Sequence, residues 1–260
     1  MAETLASPQV VALIPARHQS SRFPGKPLAA ILGRPMIEHV YRRACQVASL
    51  SRVVVATDDE RIAACVRGFG GEVVLTRESH PTGTDRLAEA AGLLRLSDQD
   101  IVVNIQGDQP LFPPAVIDEL TRPMLAEPDL PMATLIYRIR RPEEIRDPNH
   151  VKTVFDRQGN ALYFSRATIP FDRDGGRPGP FYKHLGFYAY RKGFLTIFVG
   201  LPEGDWERRE RLEQLRALEH GFRIRVVETG HDSIEVDTPA DVARVEECLR
   251  QAAAGPPARC

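Results

Sequence analysis

The chain has 260 residues, 43% hydrophobic and 27% charged, which is the profile of a folded globular protein of one large domain and excludes fibrous and disordered classes. Its 34 basic and 35 acidic side chains leave a net charge of −1, so no global field gathers nucleic acid or an anionic membrane. No apolar run approaches the roughly 18 residues of a spanning helix, and Met1 to Gln9 lacks the basic start and apolar stretch of a secretory signal, so the expected location is cytoplasmic.

In chain order, the continuous apolar run Val10 to Ile14 predicts a strand buried on both faces, ended by Pro15. Ala16 to Pro27 follows as a basic loop punctuated by Pro24 and Gly25. A helix over Met36 to Ala48, a strand over Val53 to Thr57, a helix over Asp59 to Phe69 and a strand over Glu72 to Thr76 come next, then a helix over Asp85 to Leu94 and a strand over Ile101 to Ile105. This alternation predicts a mostly parallel α/β sheet with its ligand site at the carboxyl ends of the strands. After Pro110 the pattern predicts a helix over Pro114 to Leu125, a strand over Met132 to Arg138, and a hairpin of Lys152 to Phe155 with Ala161 to Ser165 about Gln158-Gly159-Asn160. Arg173 to Pro180 reads as a loop, His184 to Arg191 and Phe222 to Glu228 as strands around one helix from Trp206 to His220, and residues 251–260 as a disordered tail.

Several residues could carry chemistry. Cys45, Cys65, Cys248 and Cys260 stand far apart with no C-x-x-C pair, so they read as reduced thiols and not as a zinc site or disulfide framework. Only Lys26, Lys152, Lys183 and Lys192 among the basic residues are lysines, and they are the positions to inspect. Arg17, Arg22 and Lys26 follow a buried strand and suit either a polyphosphate ligand or a solvated basic loop. The segment is not a Walker A loop, since Ser20 and Pro27 stand where a glycine and a hydroxyl are required, and no G-x-G-x-x-G follows any strand. Asp108, after the strand Ile101 to Ile105 and beside Gly107, is placed to hold Mg²⁺ near phosphate. Asp237, just before Pro239, is either a second metal carboxylate or, like Thr238, a helix cap. Glu210 and Gln214 are four apart and so share one face of the expected helix, opposite Leu212, Leu215, Leu218 and Phe222.

Together, Ile14-Pro15-Ala16-Arg17, Ser21 to Leu28, Ala56-Thr57-Asp58, Thr82-Gly83-Thr84-Asp85-Arg86, Gln106-Gly107-Asp108, Ala161 to Arg166, His184-Leu185-Gly186, Leu212 to Arg216 and Val236 to Pro239 resemble the 3-deoxy-manno-octulosonate (Kdo) cytidylyltransferase family, from about Val10 to Leu249. The resemblance implies a Rossmann-like nucleotide-diphospho-sugar transferase fold. A single domain over 10–250 would have a nucleotide half (about 10–130) and a smaller acceptor and dimerisation half (131–250). It further implies a homodimer that takes CTP and Mg²⁺ and forms CMP-Kdo and pyrophosphate for lipopolysaccharide synthesis, with no nucleic-acid or membrane partner. By the same resemblance Arg17, Arg22 and Lys26 hold the triphosphate, Thr82, Gly83, Thr84 and Arg86 face the nucleotide, and Asp108 and Asp237 bind metal. Gln106, Arg166, His184, Tyr188, Glu210 and Gln214 surround the acceptor, with Arg166 suited to its carboxylate.

The chain departs from the family pattern at Gln109, usually glutamate, at Gly204-Asp205-Trp206-Glu207, usually Ser-Pro-Leu-Glu, and at Glu235, commonly glycine. The departures cluster toward the acceptor, so the alternative expectation is CMP transfer to another acid, an amino-Kdo or phosphonoformate. A non-catalytic nucleotide-binding protein on the same fold is the remaining alternative.

Overall fold

The computed structural model describes residues 7–18, 23–173 and 179–254. Arg22, residues 174–178 of the expected loop and residues 255–260 of the expected tail lie outside the described residues. The first half runs β1 (Val10–Ala16), a turn of 3-10 helix (Lys26–Leu28), the small ribbon β2 (Ala30–Ile31) and β3 (Arg34–Pro35), α1 (Met36–Ala44), β4 (Arg52–Thr57), α2 (Glu60–Gly68), β5 (Val73–Leu75), α3 (Gly83–Leu93) and β6 (Ile101–Asn104). The second runs α4 (Ala115–Ala126), β7 (Met132–Arg138), α5 (Glu143–Arg146), β8 (Lys152–Phe155), β9 (Ala161–Ser165), β10 (Tyr182–Arg191), α6 (Lys192–Gly200), α7 (Asp205–Glu210), α8 (Leu215–Glu219), β11 (Ile224–Thr229) and α9 (Pro239–Ala254).

Among the described residues nine strands form one sheet in the order β11-β7-β10-β6-β1-β4-β5, with the β8–β9 hairpin attached through β10. β1 pairs in parallel with both β4 and β6, whereas β10 is antiparallel to its neighbours β6 and β7. The sheet is buried on both faces, which explains the unbroken apolar runs. Ile14, Val55 and Val103 pack on one side with Ile37, Ile62 and Ile117 of α1, α2 and α4, while Leu13, Val54 and Val102 pack on the other with Leu87 and Phe198 of α3 and α6. Pro15 does not end β1. Ile105 N donates to Leu13 O, so Pro15, two residues on, turns its missing N–H to the same side, where β6 has already stopped at Asn104.

The element boundaries follow local chemistry. Asp59 caps α2 by accepting from Arg61 N at 2.9 Å and Ile62 N at 3.3 Å. Thr82 and Asp85 form a reciprocal capping box that starts α3 at Gly83, two residues earlier than the pattern predicts.

Three expectations are corrected. Lys192–Gly200, to which the pattern assigns no element, is helix α6, and it buries Phe194, Leu195 and Phe198. The single helix expected over Trp206 to His220 is two, α7 and α8, parted at Arg211, which adopts a left-handed conformation (φ 54°). The break has a partner: Arg166 Nε donates to Glu210 O at 2.7 Å and Nη2 to Arg211 O at 3.4 Å, taking the carbonyls at the turn. Finally, α9 continues through Ala254, so residues 251–254 are helical where the tail was expected.

The four lysines all have specific partners. Lys192 pairs with Asp98 at 2.7 Å, and Lys183, nearly fully buried, bridges Glu144 at 3.0 Å and Asp232 at 2.9 Å. Lys152 is fully buried and donates to three carbonyls, Asp147 O at 2.8 Å, His150 O at 2.5 Å and Arg166 O at 2.8 Å. Lys152→Met strands those acceptors without their charged donor and should cost about 2–4 kcal/mol of stability. Urea unfolding checks this, and an unchanged midpoint would show that the clasp contributes nothing.

Candidate active site

The carboxyl ends of β1, β4 and β6 open into a cleft of about 1020 Å³, as expected for a parallel sheet. Eight of the residues expected at the site line it: Arg17, Lys26, Thr82, Gly83, Arg86, Gln106, Asp108 and Asp237. The chain passes tightly here, because a Cβ on Gly107 would lie 3.1 Å from Pro15 O. A side chain would therefore push Asp108 away from the end of β1.

At the floor, Lys26 Nζ donates to Asp108 Oδ2 at 2.6 Å and to Val236 O at 2.9 Å, and stands 3.7 Å from Asp237 Oδ1. Val236 N in turn donates to Asp108 O at 2.9 Å. At the start of α9, Asp241 Oδ2 accepts from Thr238 N at 2.8 Å, from Thr238 Oγ1 at 2.8 Å and from Asp237 N at 3.1 Å. Asp237 itself lines the cleft, its Oδ1 near the Lys26 ammonium. Beside these groups, Glu235 is pushed up to about 7, first by desolvation and then by the like charges of Asp108 and Asp237. Because Glu235 also keeps a solvent-open surface, the neighbouring charges are the firmer of the two causes.

Two carboxylates converging on one ammonium form a hard-oxygen site already suited to positive charge, which fits Mg²⁺. That ion is typically held by one or two carboxylates plus substrate phosphates. Among the described residues no set of three or more His, Cys, Asp or Glu side chains could hold a metal alone. Water and the phosphate oxygens of a ligand would complete the coordination.

The nucleotide-side expectations divide. Arg86 is almost fully buried, donating to Asp58 at 2.6 Å and Thr76 at 2.6 Å, so it braces the cleft wall through Asp58. Thr84 turns its hydroxyl away from the cleft to the carboxylate of Glu213.

The acceptor-side expectations divide further. Arg166 and His184 line a second cavity of about 550 Å³, which shares Asp237 with the first. Arg166 donates to Pro148 O at 3.1 Å as well as to the α7 carbonyls, so part of its guanidinium is already committed. Glu210 is committed too, accepting from Ser165 Oγ at 2.6 Å and Arg166 N at 2.9 Å. The split of α7 from α8 removes the shared helical face of Glu210 and Gln214 and leaves Gln214 at the N-cap of α8. Gln214 is buried, and its Nε2 has no partner among the described residues. Tyr188 lies against His184 and Tyr190, with ring centroids 5.1 Å and 5.7 Å away, and burial raises its pKa well above 10.

Sequence reading missed Glu213, whose carboxyl pKa is raised, mainly by burial. Its signal was its place beside Gln214 within the Leu212 to Arg216 motif. Trp206 packs edge-on to Tyr163 at 5.4 Å. Gly204 is fixed by Glu219, which accepts from Asp205 N at 2.9 Å and Trp206 N at 3.0 Å and fills the space of a Cβ at 204.

A sequence profile of the family described as cytidylyltransferase matches residues 11–225. A 3-deoxy-manno-octulosonate cytidylyltransferase of Syntrophus aciditrophicus (strain SB) is 60% identical over 93% of this chain and 97% of its own. An 8-amino-3,8-dideoxy-manno-octulosonate cytidylyltransferase of Shewanella sp. (strain ANA-3) is 54% identical over 92% of this chain and 98% of its own. Among solved structures, CMP:2-keto-3-deoxy-manno-octonic acid synthetase complexed with CTP superposes with a TM-score of 0.89 at 43% identity, covering 94% of this chain and 99% of that one.

Burial lowers His184 from 6.5 to about 4, so the folded chain keeps this imidazole neutral. Below pH 6.5 the unfolded chain takes up the proton first, so stability should fall as pH drops from 6.5 toward 4, by roughly 2 kcal/mol. Urea unfolding across that range, compared with His184→Gln, measures the difference in slope. Parallel pH profiles for the two proteins would refute the assignment.

Proposed function

The chain belongs to the cytidylyltransferase family, and from that membership we propose that it transfers CMP from CTP to the anomeric hydroxyl of Kdo, releasing pyrophosphate. The observation that carries the reading is the meeting of Asp108 and Asp237 across Lys26 in a cleft at the carboxyl ends of the parallel strands. The acceptor hydroxyl loses its proton to solvent and its oxygen bonds to the α-phosphorus as the bond from that phosphorus to the β-phosphate oxygen breaks, the electron pair leaving with pyrophosphate. Catalysis is positioning and charge neutralisation, with no covalent enzyme intermediate.

Arg17 and Lys26 would meet the triphosphate; Arg61, which also lines the cleft, is paired with Asp59 at 2.5 Å. Asp108 and Asp237 would hold Mg²⁺, which when bound neutralises phosphate charge. Gln106 would reach the acceptor from the nucleotide cleft, and His184, Tyr188, Glu213 and Gln214 would supply the polar groups around it. Arg166 offers its remaining N–H groups to the acceptor carboxylate, and Glu210 acts by holding Arg166 in place. Among the described residues no helix is long and apolar enough to cross a membrane. A cytoplasmic homodimer completes the reading, supported by the exposed apolar side chains of Leu162, Phe171 and Trp206.

Asp108→Asn or Asp237→Asn should abolish pyrophosphate release and leave the fold intact by circular dichroism, whereas near wild-type turnover would remove that residue from the metal site. Lys26→Ala should weaken CTP use more than acceptor binding. Kdo, amino-Kdo, sialic acid and phosphonoformate, each offered with CTP and Mg²⁺, should give robust turnover only with Kdo. Turnover of amino-Kdo without Kdo would transfer the assignment to the activity named for the Shewanella relative.

A further inference from the structure

Gln109 and Glu235 lie next to the two cleft carboxylates, and they touch. Gln109 is fully buried, and its Nε2 donates to Glu235 Oε1 at 2.9 Å and to Leu185 O at 3.0 Å. One residue back, Val236 N donates to Asp108 O at 2.9 Å. The two contacts are successive rungs joining residues 108–109 to 235–236, and the bond to Leu185 anchors both to β10. Gly186 stands over the pair, 3.6 Å from Glu235 Oε1 and 3.7 Å from Gln109 Nε2 measured from the position of a Cβ.

We infer that Gln109 and Glu235 form a positioning pair that sets the separation of the Asp108 and Asp237 carboxylates and thereby the cation affinity of the cleft. The inference rests on the metal reading of those two aspartates. Residue type matters on the Gln109 side, because both Nε2 hydrogens are spent and a carboxylate there would offer only acceptors to two acceptors. Gln109 Oε1 has no partner among the described residues, so the amide is kept here at the cost of a stranded buried oxygen. On the Glu235 side what matters is an acceptor oxygen at the right reach, and charge is not required. Lys26, bonded to Val236 O, adds a third tie to the same two segments.

The test is Mn²⁺ binding read by electron paramagnetic resonance in the presence of CTP and without any acceptor, so that no turnover occurs. Glu235→Ala and Gln109→Met should each weaken Mn²⁺ about tenfold, while Glu235→Gln, which keeps the acceptor oxygen, should stay within about twofold of wild type. Thermal unfolding confirms that each variant is folded, and Glu235→Ala carries the test alone if Gln109→Met is not. Unchanged Mn²⁺ affinity in Glu235→Ala would overturn the pair, and so would an equal loss in Glu235→Gln, which would make charge the operative property. Asp108→Asn separates the two levels of the claim: wild-type Mn²⁺ affinity in that variant would overturn the metal reading and the pair with it.

Discussion

The ammonium of Lys26 is held by a carboxylate 82 residues away and a carbonyl 210 residues away. Through it the loop after β1, the turn after β6 and the segment before α9 converge on one point. Its one positive charge leaves the group with Asp108 and Asp237 net negative, which repels a triphosphate but attracts a divalent cation. Once such a cation is bound, the sign of the group reverses and the polyphosphate is attracted. Nucleotide and cation are therefore expected to bind as a unit, with Lys26 a counter-ion to both carboxylates.

The scaffold makes this convergence stiff. β1 sits between β4 and β6 in the sheet, and its core-facing side chains are buried on both faces, so the ends from which the cleft loops spring are fixed by packing. The antiparallel β10 performs a different service. It carries His184 and Tyr188 past the register irregularity at Leu185 to Phe187, and there it meets Gln109 and Glu235. The segments that carry Asp108 and Asp237 are thus mechanically joined to β10. A residue change on β10 can therefore be felt at Asp108 and Asp237.

Much of this was legible in the sequence where one residue type in one local pattern suffices. Buried parallel strands appear as unbroken apolar runs, the Gln158-Gly159-Asn160 turn marks the β8–β9 hairpin, and Asp108 and Asp237 stand beside element ends. What was not legible depends on distant partners. Nothing near Arg211 announces that Arg166 will take its carbonyl and divide the helix. Glu210 looked available until Ser165 and Arg166 were found on it, and Glu213 gained significance only beside Thr84. Gln109 and Glu235 looked like two separate departures from a family pattern and are one contact across 126 residues.

If the cleft takes cation and nucleotide together, Lys26 must exchange partners when they arrive. A crystal structure grown with CTP and Mg²⁺ measures this directly through the distance from Lys26 Nζ to Asp108 Oδ2, here 2.6 Å. The ammonium should leave Asp108 for a phosphate oxygen, with a metal ion taking its place between Asp108 and Asp237. An intact Lys26–Asp108 bridge with CTP bound elsewhere on the molecule would contradict it.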